Sequence, residues 1–295
     1  LEIYKNHQYV KELFNLADDV LGYKLSKIIF DGPKQDLDLT ENTQPAIFLI
    51  SMSIFEMIKN ETDINLNNAK YFAGHSLGEY SALTASKSIS FDQTIKLLNK
   101  RGKSMQTAVP KGEGGMKAIL GAEIIQIEQL LEENKKSYKC YIANDNSVGQ
   151  VVVSGRIQDL NLLSEDLRKK SIKYIDLPVS APFHCPLMNK ATEIMKEEIN
   201  KTIFKKPINE IISNVTSEPV NEPEDIKKLL IKQIESSVRW RETVLYMRNR
   251  KIKNFVEIGP GKVLSGLIKR IDRNLLSLAV NSIDDIKKIN LYDKL

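Results

Sequence analysis

The chain has 295 residues, 42% of them apolar, which fills one large α/β domain or a domain carrying a smaller insert and argues against disorder. Its formal charge is +5 with lysines spread along the chain, which suits encounter with an acidic macromolecule and equally a merely solvated surface; only 7% aromatic residues and no basic-aromatic motif argue against nucleic acid. Two cysteines, Cys140 and Cys185, and three scattered histidines provide neither a disulfide scaffold nor metal-ligand spacing, so a reduced chain with no metal site is expected.

The first residues, "LEIYKNHQYVKELF", have no basic stretch leading into an apolar one, and no targeting segment is expected there. "KNHQYVKELFNLADDVLGYKLSKII" carries apolar residues at helical spacing, as does "TQPAIFLISMSIFEMIKN", where Pro45 suits a first turn. The apolar run "PAIFLISMSIF" falls short of the roughly 20 residues of a membrane span and reads as a buried helix. "KYFAGHS" then reads as a short strand running into a glycine turn. "GEYSALTASKS" and "FDQTIKLLNKRGKSMQTAV" follow as helices, closed by "PKGEGG".

From residue 114 to 179 the pattern changes to "GMKAILG" (strand), "AEIIQIEQLLEENKK" (helix), "KCYIAND" and "QVVVSG" (strands), "RIQDLNLLSEDLRKK" (helix) and "IKYIDLPV" (strand). That β-α-β-β-α-β order is the split unit of ferredoxin-like domains. After Pro186 the helices "MNKATEIMKEEINK", "PEDIKKLLIKQIES" and "VRWRETVLYMRNRK" lead to the strand and glycine turn of "KNFVEIGPGKVLSGLIKRI". The predicted architecture is α/β, with a large α/β-hydrolase-like subdomain (1–113 and 180–295) built on a parallel sheet. A ferredoxin-like subdomain (114–179) is inserted in it.

Chemistry concentrates in "AGHSLGEY", which sets Ser76 in G-x-S-x-G spacing between a strand and a helix. That is the pattern of a nucleophile elbow, with the Leu77 N–H facing a developing oxyanion. Ser76 needs a base, and histidine is the usual one. His7 lies in the N-terminal amphipathic helix, and His75 diverges from its neighbour on a tight turn. His184 remains, in the proline-rich loop "LPVSAPFHCPLM" at the junction of the two subdomains, where either a cleft base or a satisfied structural histidine fits.

"TQPAI", "AGHSLGEYSAL", "RGKSMQTAVPKGEGGM", "ANDNSVGQVVVSG", "LPVSAPFHCPLM", "SSVRW" and "EIGPGKVLSGLIKRI" together resemble the malonyl-CoA:acyl carrier protein transacylases and, more broadly, the acyltransferase domains of fatty acid and polyketide synthesis. The resemblance implies a ping-pong S-malonyltransferase with no bound cofactor. Ser76 takes malonyl from malonyl-CoA, and the phosphopantetheine thiol of the carrier protein removes it. His184 acts as base and acid, oriented by a backbone carbonyl that by position is that of Arg239. Arg101 is the arginine that pairs with the malonyl carboxylate, for which its two parallel donors suit it.

Relatives that take methylmalonyl tend to carry glutamine after the serine and serine before the histidine; Leu77 and Phe183 here imply malonyl. Met105 is expected in the pocket wall, and Asn144 and Gln150 near the cleft, where they equally suit turn backbone groups. Lys269 and Arg270 are candidate carrier contacts. Family members carry, before the point where this sequence begins, a strand and a "GQGSQ" loop supplying a second oxyanion donor. One such donor is worth about 10²–10³ in rate. A serine esterase or thioesterase, which would place an acid such as Asp145 or Asp176 between serine and histidine, and a non-catalytic carrier-binding module are the alternatives. A monomer is expected, in an apicoplast-type plastid from the Lys-, Asn- and Ile-rich composition or else in the bacterial cytoplasm.

Overall fold

A computed structural model of the chain describes residues 2–179 and 181–292; residues 1, 180 and 293–295, which include ends of the expected large-subdomain segments, lie outside the described residues. The N-terminal region predicted as one helix is three: α1 (Glu2–Asn6), α2 (Gln8–Leu21) and α3 (Leu25–Asp31). Gly22 ends α2 at φ 73, its N–H turned back to the Asp18 carbonyl, a left-handed cap that glycine takes without strain. His7 stands extended at the break before α2, exchanging a hydrogen bond with the Tyr9 hydroxyl.

After α4 (Lys34–Asp38), helix α5 (Thr40–Glu61) begins five residues before Pro45, so the proline is interior rather than in the first turn. Its missing N–H leaves the Glu41 carbonyl without a helical donor, and the Asn99 side-chain amide fills that place at 3.0 Å. Helix α5 is buried on most sides, as its apolar composition requires, and crosses α7 (Phe91–Thr107) closely. Gly102 permits that approach, since a Cβ there would lie 2.4 Å from the Thr40 carbonyl oxygen. Between them lie β1 (Tyr71–Phe72) and α6 (Leu77–Ala85). Phe48, Leu49, Ile54, Leu83, Ile95 and Leu98 form the centre of the main core.

The middle of the chain runs β2 (Gly114–Leu120), α8 (Ile124–Glu133), β3 (Cys140–Ser147), β4 (Gln150–Arg156), α9 (Ile157–Lys169) and β5 (Lys173–Asp176). The strands form one antiparallel sheet in the order β3-β4-β2-β5, the arrangement that β-α-β-β-α-β connectivity produces. A capping box between Glu123 and Gln126 starts α8. Strand alternation sorts the faces: Ile119, Val151 and Val153 pack under the two helices with Ile127, Leu163 and Leu167. Met116, Ala118, Ala143 and Val152 face the other way, against Val179 and Phe183.

The return segment comprises α10 (Asn189–Lys201), β6 (Glu210–Ile212), β7 (Pro219–Val220), α11 (Pro223–Gln233), α12 (Trp240–Asn249), β8 (Asn254–Ile258), α13 (Val263–Ile271), β9 (Leu276–Val280) and α14 (Ile283–Tyr292). Among the described residues the parallel pairing occurs in two short pieces, β1 with β6 and β8 with β9, while β7 joins β6 antiparallel. No described helix is long and apolar enough to cross a membrane.

Candidate active site

Ser76 sits between β1 and α6 at φ 52, ψ −108, a left-handed-side conformation that a serine adopts only where its surroundings impose it. Gly74 allows the turn to fold onto the helix: a Cβ there would lie 2.0 Å from the backbone of Gly78. The Asn214 side chain locks the turn, its Oδ1 accepting the Ser76 N–H at 2.7 Å and its Nδ2 donating to the Gly74 carbonyl at 2.7 Å. Leu77 is the first residue of α6, so the helix ladder does not use its N–H.

The fold brings His184 and Arg101 to the same hydroxyl. Ser76 Oγ is 2.8 Å from His184 Nε2 and accepts from Arg101 Nη2 at 3.0 Å. His184 Nδ1 donates to the Gln233 carbonyl at 2.9 Å. A carbonyl only accepts, so Nδ1 carries the ring proton and Nε2 is left as the acceptor for the serine hydroxyl. This corrects the expectation for Arg239: its carbonyl instead accepts the Thr243 N–H at 2.9 Å and the Ser217 hydroxyl at 3.3 Å. The physical reason is that α11 ends at Gln233, where a terminal carbonyl is released from the helix ladder and can face the imidazole. His184 itself has φ 58 and is buried at 4% exposure. Burial, followed by the nearby Arg101 cation, pushes its pKa down to about 3, so the resting imidazole is neutral.

Arg101 reaches the site from α7 and is 1% exposed. Its guanidinium donates to Gln44 Oε1 at 2.7 Å and Gln233 Oε1 at 2.9 Å, and lies 5.7 Å from the Tyr80 ring centroid. These partners are neutral, and among the described residues Nε has none. A buried cation held by amides and a hydroxyl is a ready receptor for a carboxylate. Glu79 stands behind them, its carboxyl accepting from Gln233 Nε2 at 2.7 Å and the Asn214 N–H at 3.2 Å. Burial raises its pKa to about 7.

The other expected residues divide. Phe183 packs against both the main core and the inner face of the inserted sheet, beside His184. Met105 is 1% exposed within the main core. Asn144 is buried on β3 and bridges Val238, with the strand bulged on either side. Gln150 and Arg270, expected in different roles, hold each other instead: Arg270 Nη1 donates to Gln150 Oε1 at 3.2 Å. Lys269 lies exposed in the last turn of α13. His75 donates from Nε2 to Asn146 Oδ1 at 2.8 Å. A groove of about 730 Å³ opens onto His184 between Tyr141, Ile142, Pro186 and Glu235. Among the described residues no cluster of His, Cys, Asp and Glu could hold a metal.

Sequence reasoning missed Gln233, Asn214 and Glu79 as parts of the site. Gln233 carried a signal: it continues the apolar stripe of Ile226 and Leu230 on α11, where a buried amide needs partners. Glu79 was inside a quoted motif, and Asn214 had no local mark.

Residues 5–289 match the acyl transferase domain family. The malonyl CoA-acyl carrier protein transacylase of Bacillus subtilis (strain 168) is 40% identical over 97% of this chain and 90% of its own length; that of Escherichia coli (strain K12) is 35% identical over 94% and 89%. Among solved structures, the acyl-carrier-protein-S-malonyltransferase of Bartonella henselae superposes with TM-score 0.95 at 38% identity, covering 99% of this chain and 94% of that one. A malonyl-transacylase in complex with its type II PKS acyl-carrier protein gives 0.93 at 34% identity, covering 98% and 93%.

Proposed function

This chain belongs to the acyl transferase domain family, and from that premise we propose that Ser76, His184 and Arg101 carry out its reaction. It is a malonyl-CoA:acyl carrier protein S-malonyltransferase of fatty acid synthesis, with malonyl-CoA as donor, the carrier's phosphopantetheine thiol as acceptor and no bound cofactor. The observation that carries the residue roles is the convergence of an imidazole at 2.8 Å and a guanidinium at 3.0 Å on one strained serine hydroxyl.

The Ser76 proton passes to His184 Nε2 as Oγ attacks the thioester carbonyl. The Leu77 N–H at the start of α6 faces the oxyanion, in the manner of a nucleophile elbow. As the tetrahedral species collapses, Nε2 returns the proton to the departing coenzyme A thiolate, leaving malonyl esterified to Ser76. In the second half the carrier thiol gives its proton to Nε2 and attacks the ester, and Nε2 hands that proton back to Oγ. The Gln233 carbonyl keeps the Nδ1 proton in place throughout and supports the imidazolium as a weaker partner than a carboxylate. Arg101 exchanges its bond to Oγ for two charge-assisted bonds to the malonyl carboxylate. Phe183 beside His184 supports malonyl over a branched acyl group.

The subdomain limits, 1–113 with 180–295 and 114–179, are supported by the separate sheet and core of β2–β5. The bacterial origin of the named relatives supports the cytoplasm of a bacterium over a plastid, which composition alone favours.

Intact-mass analysis after mixing with malonyl-CoA should detect one malonyl adduct that hydroxylamine removes and Ser76→Ala lacks. An adduct that survives in Ser76→Ala would overturn the assignment of the nucleophile.

A further inference from the structure

Glu79 touches no reacting atom, yet it lies behind every group that does. Its carboxyl, 2% exposed, accepts from Gln233 Nε2 at 2.7 Å and from the Asn214 backbone N–H at 3.2 Å. Gln233 in turn presents Oε1 to Arg101 at 2.9 Å, Nε2 to the Ser76 carbonyl at 3.1 Å and its own carbonyl to His184 at 2.9 Å. Asn214 holds the Ser76 N–H through Oδ1.

An amide side chain has two faces, and rotating it by half a turn exchanges donor for acceptor. With Glu79 as acceptor, the Gln233 NH₂ must point toward α6, which leaves Oε1 for the guanidinium. Without that acceptor the longer bond to the Ser76 carbonyl at 3.1 Å is what remains on that side, and the opposite orientation, which sets two donors, Gln233 Nε2 and Arg101 Nη2, against each other, is less strongly disfavoured. We propose that Glu79 is a positioning residue that sets the orientation of the Gln233 amide and thereby holds Arg101 where a substrate carboxylate can bind. This inference rests on the malonyl-transfer reading above.

The carboxyl faces Arg101 from α7, the Ser213 hydroxyl and Asn214 from the segment after β6, Gln233 from α11 and Tyr80 from its own helix. A neutral carboxyl keeps one carbonyl acceptor for Gln233 and turns its proton to another partner, so the orienting role does not require ionisation. It does require an oxygen at that place. Glutamine supplies one, and leucine does not.

The test is the ratio of kcat/KM for malonyl-CoA to that for acetyl-CoA, measured in wild type, Glu79→Gln, Glu79→Leu, Gln233→Leu and Arg101→Ala. Arg101→Ala sets the floor, where the carboxylate receptor is gone. Glu79→Leu should lower the ratio toward that floor by about tenfold or more, the value of one charge-assisted hydrogen bond, while Glu79→Gln stays near wild type. A merely structural role would lower thermal stability and both activities alike, leaving the ratio unmoved.

If Glu79→Leu does not fold, Gln233→Leu decides, since it keeps the backbone carbonyl to His184 and removes only the amide. It should fall toward the floor while Glu79→Gln does not. A folded Glu79→Leu or Gln233→Leu with the wild-type ratio, or Glu79→Gln at the floor, overturns the proposal. A wild-type chain that acquires no malonyl adduct overturns instead the malonyl-transfer reading, so the two failures are distinct.

Discussion

One buried base and one buried acid in the site, His184 and Glu79, pull stability in opposite directions with pH. His184 is held near 3 against an ordinary 6.5, so the unfolded chain binds the extra proton. Its contribution is present above 6.5 and is lost as pH falls toward 3. Glu79 is raised to about 7 from 4.5, so the folded chain keeps the proton. Its contribution is present below 4.5 and is lost as pH rises through 7. Glu79→Gln cannot ionise, and its stability relative to wild type should therefore increase as pH is raised across that window, by up to about 3 kcal/mol at 1.36 kcal/mol per unit. Urea unfolding of both proteins over a pH series checks this, and a flat difference would place Glu79 in the ordinary carboxylate range. At this scale Ser76 and His184 stood out as candidates by residue chemistry and Arg101 by the family resemblance, and the structure brings the three side chains to one hydroxyl. Gln233 was assigned to no role because a carbonyl is the same in every residue, and which one faces an imidazole depends on where a helix happens to stop.

The inserted sheet is fastened to the rest of the molecule through β3. Its bulged middle exchanges backbone bonds with Val238, both at 2.9 Å, and Asp145 receives Arg241 Nε at 3.0 Å on each carboxylate oxygen. Asp145 is 1% exposed, so removing its partner leaves a buried acid unpaired. Arg241→Ala should cost about 3–5 kcal/mol in denaturant unfolding, whereas breaking the exposed Lys206–Glu222 pair should cost under about 1 kcal/mol. Similar losses for the two would show that Asp145 finds another partner or reaches solvent. The β-α-β-β-α-β order was readable because each element repeats a short local period. The link from β3 to α12 was not, because bulges and an ion pair between residues 145 and 241 leave no periodic trace.

Across the whole molecule the formal charge of +5 gives a modest positive field toward an acidic partner. Added salt, which shortens the screening length below about 8 Å, should lower kcat/KM for the carrier protein while leaving transfer to a free pantetheine thiol unchanged. Equal salt effects on both acceptors would remove long-range steering from the account. Lys269 is exposed and available to that encounter, but Arg270 is engaged with Gln150 across the joint to the inserted sheet. What the amino-acid order determined by itself was the α/β class and the β-α-β-β-α-β order of the middle segment, because periodicity is a local property, while Ser76, His184 and Arg101 were singled out from motif chemistry together with the family resemblance. Which carbonyl accepts from the imidazole, which amides accept from the guanidinium, and how β3 is anchored were decided only by the tertiary structure. Each of these depends on groups distant in sequence whose distances exist only once α5, α7 and α11 have packed.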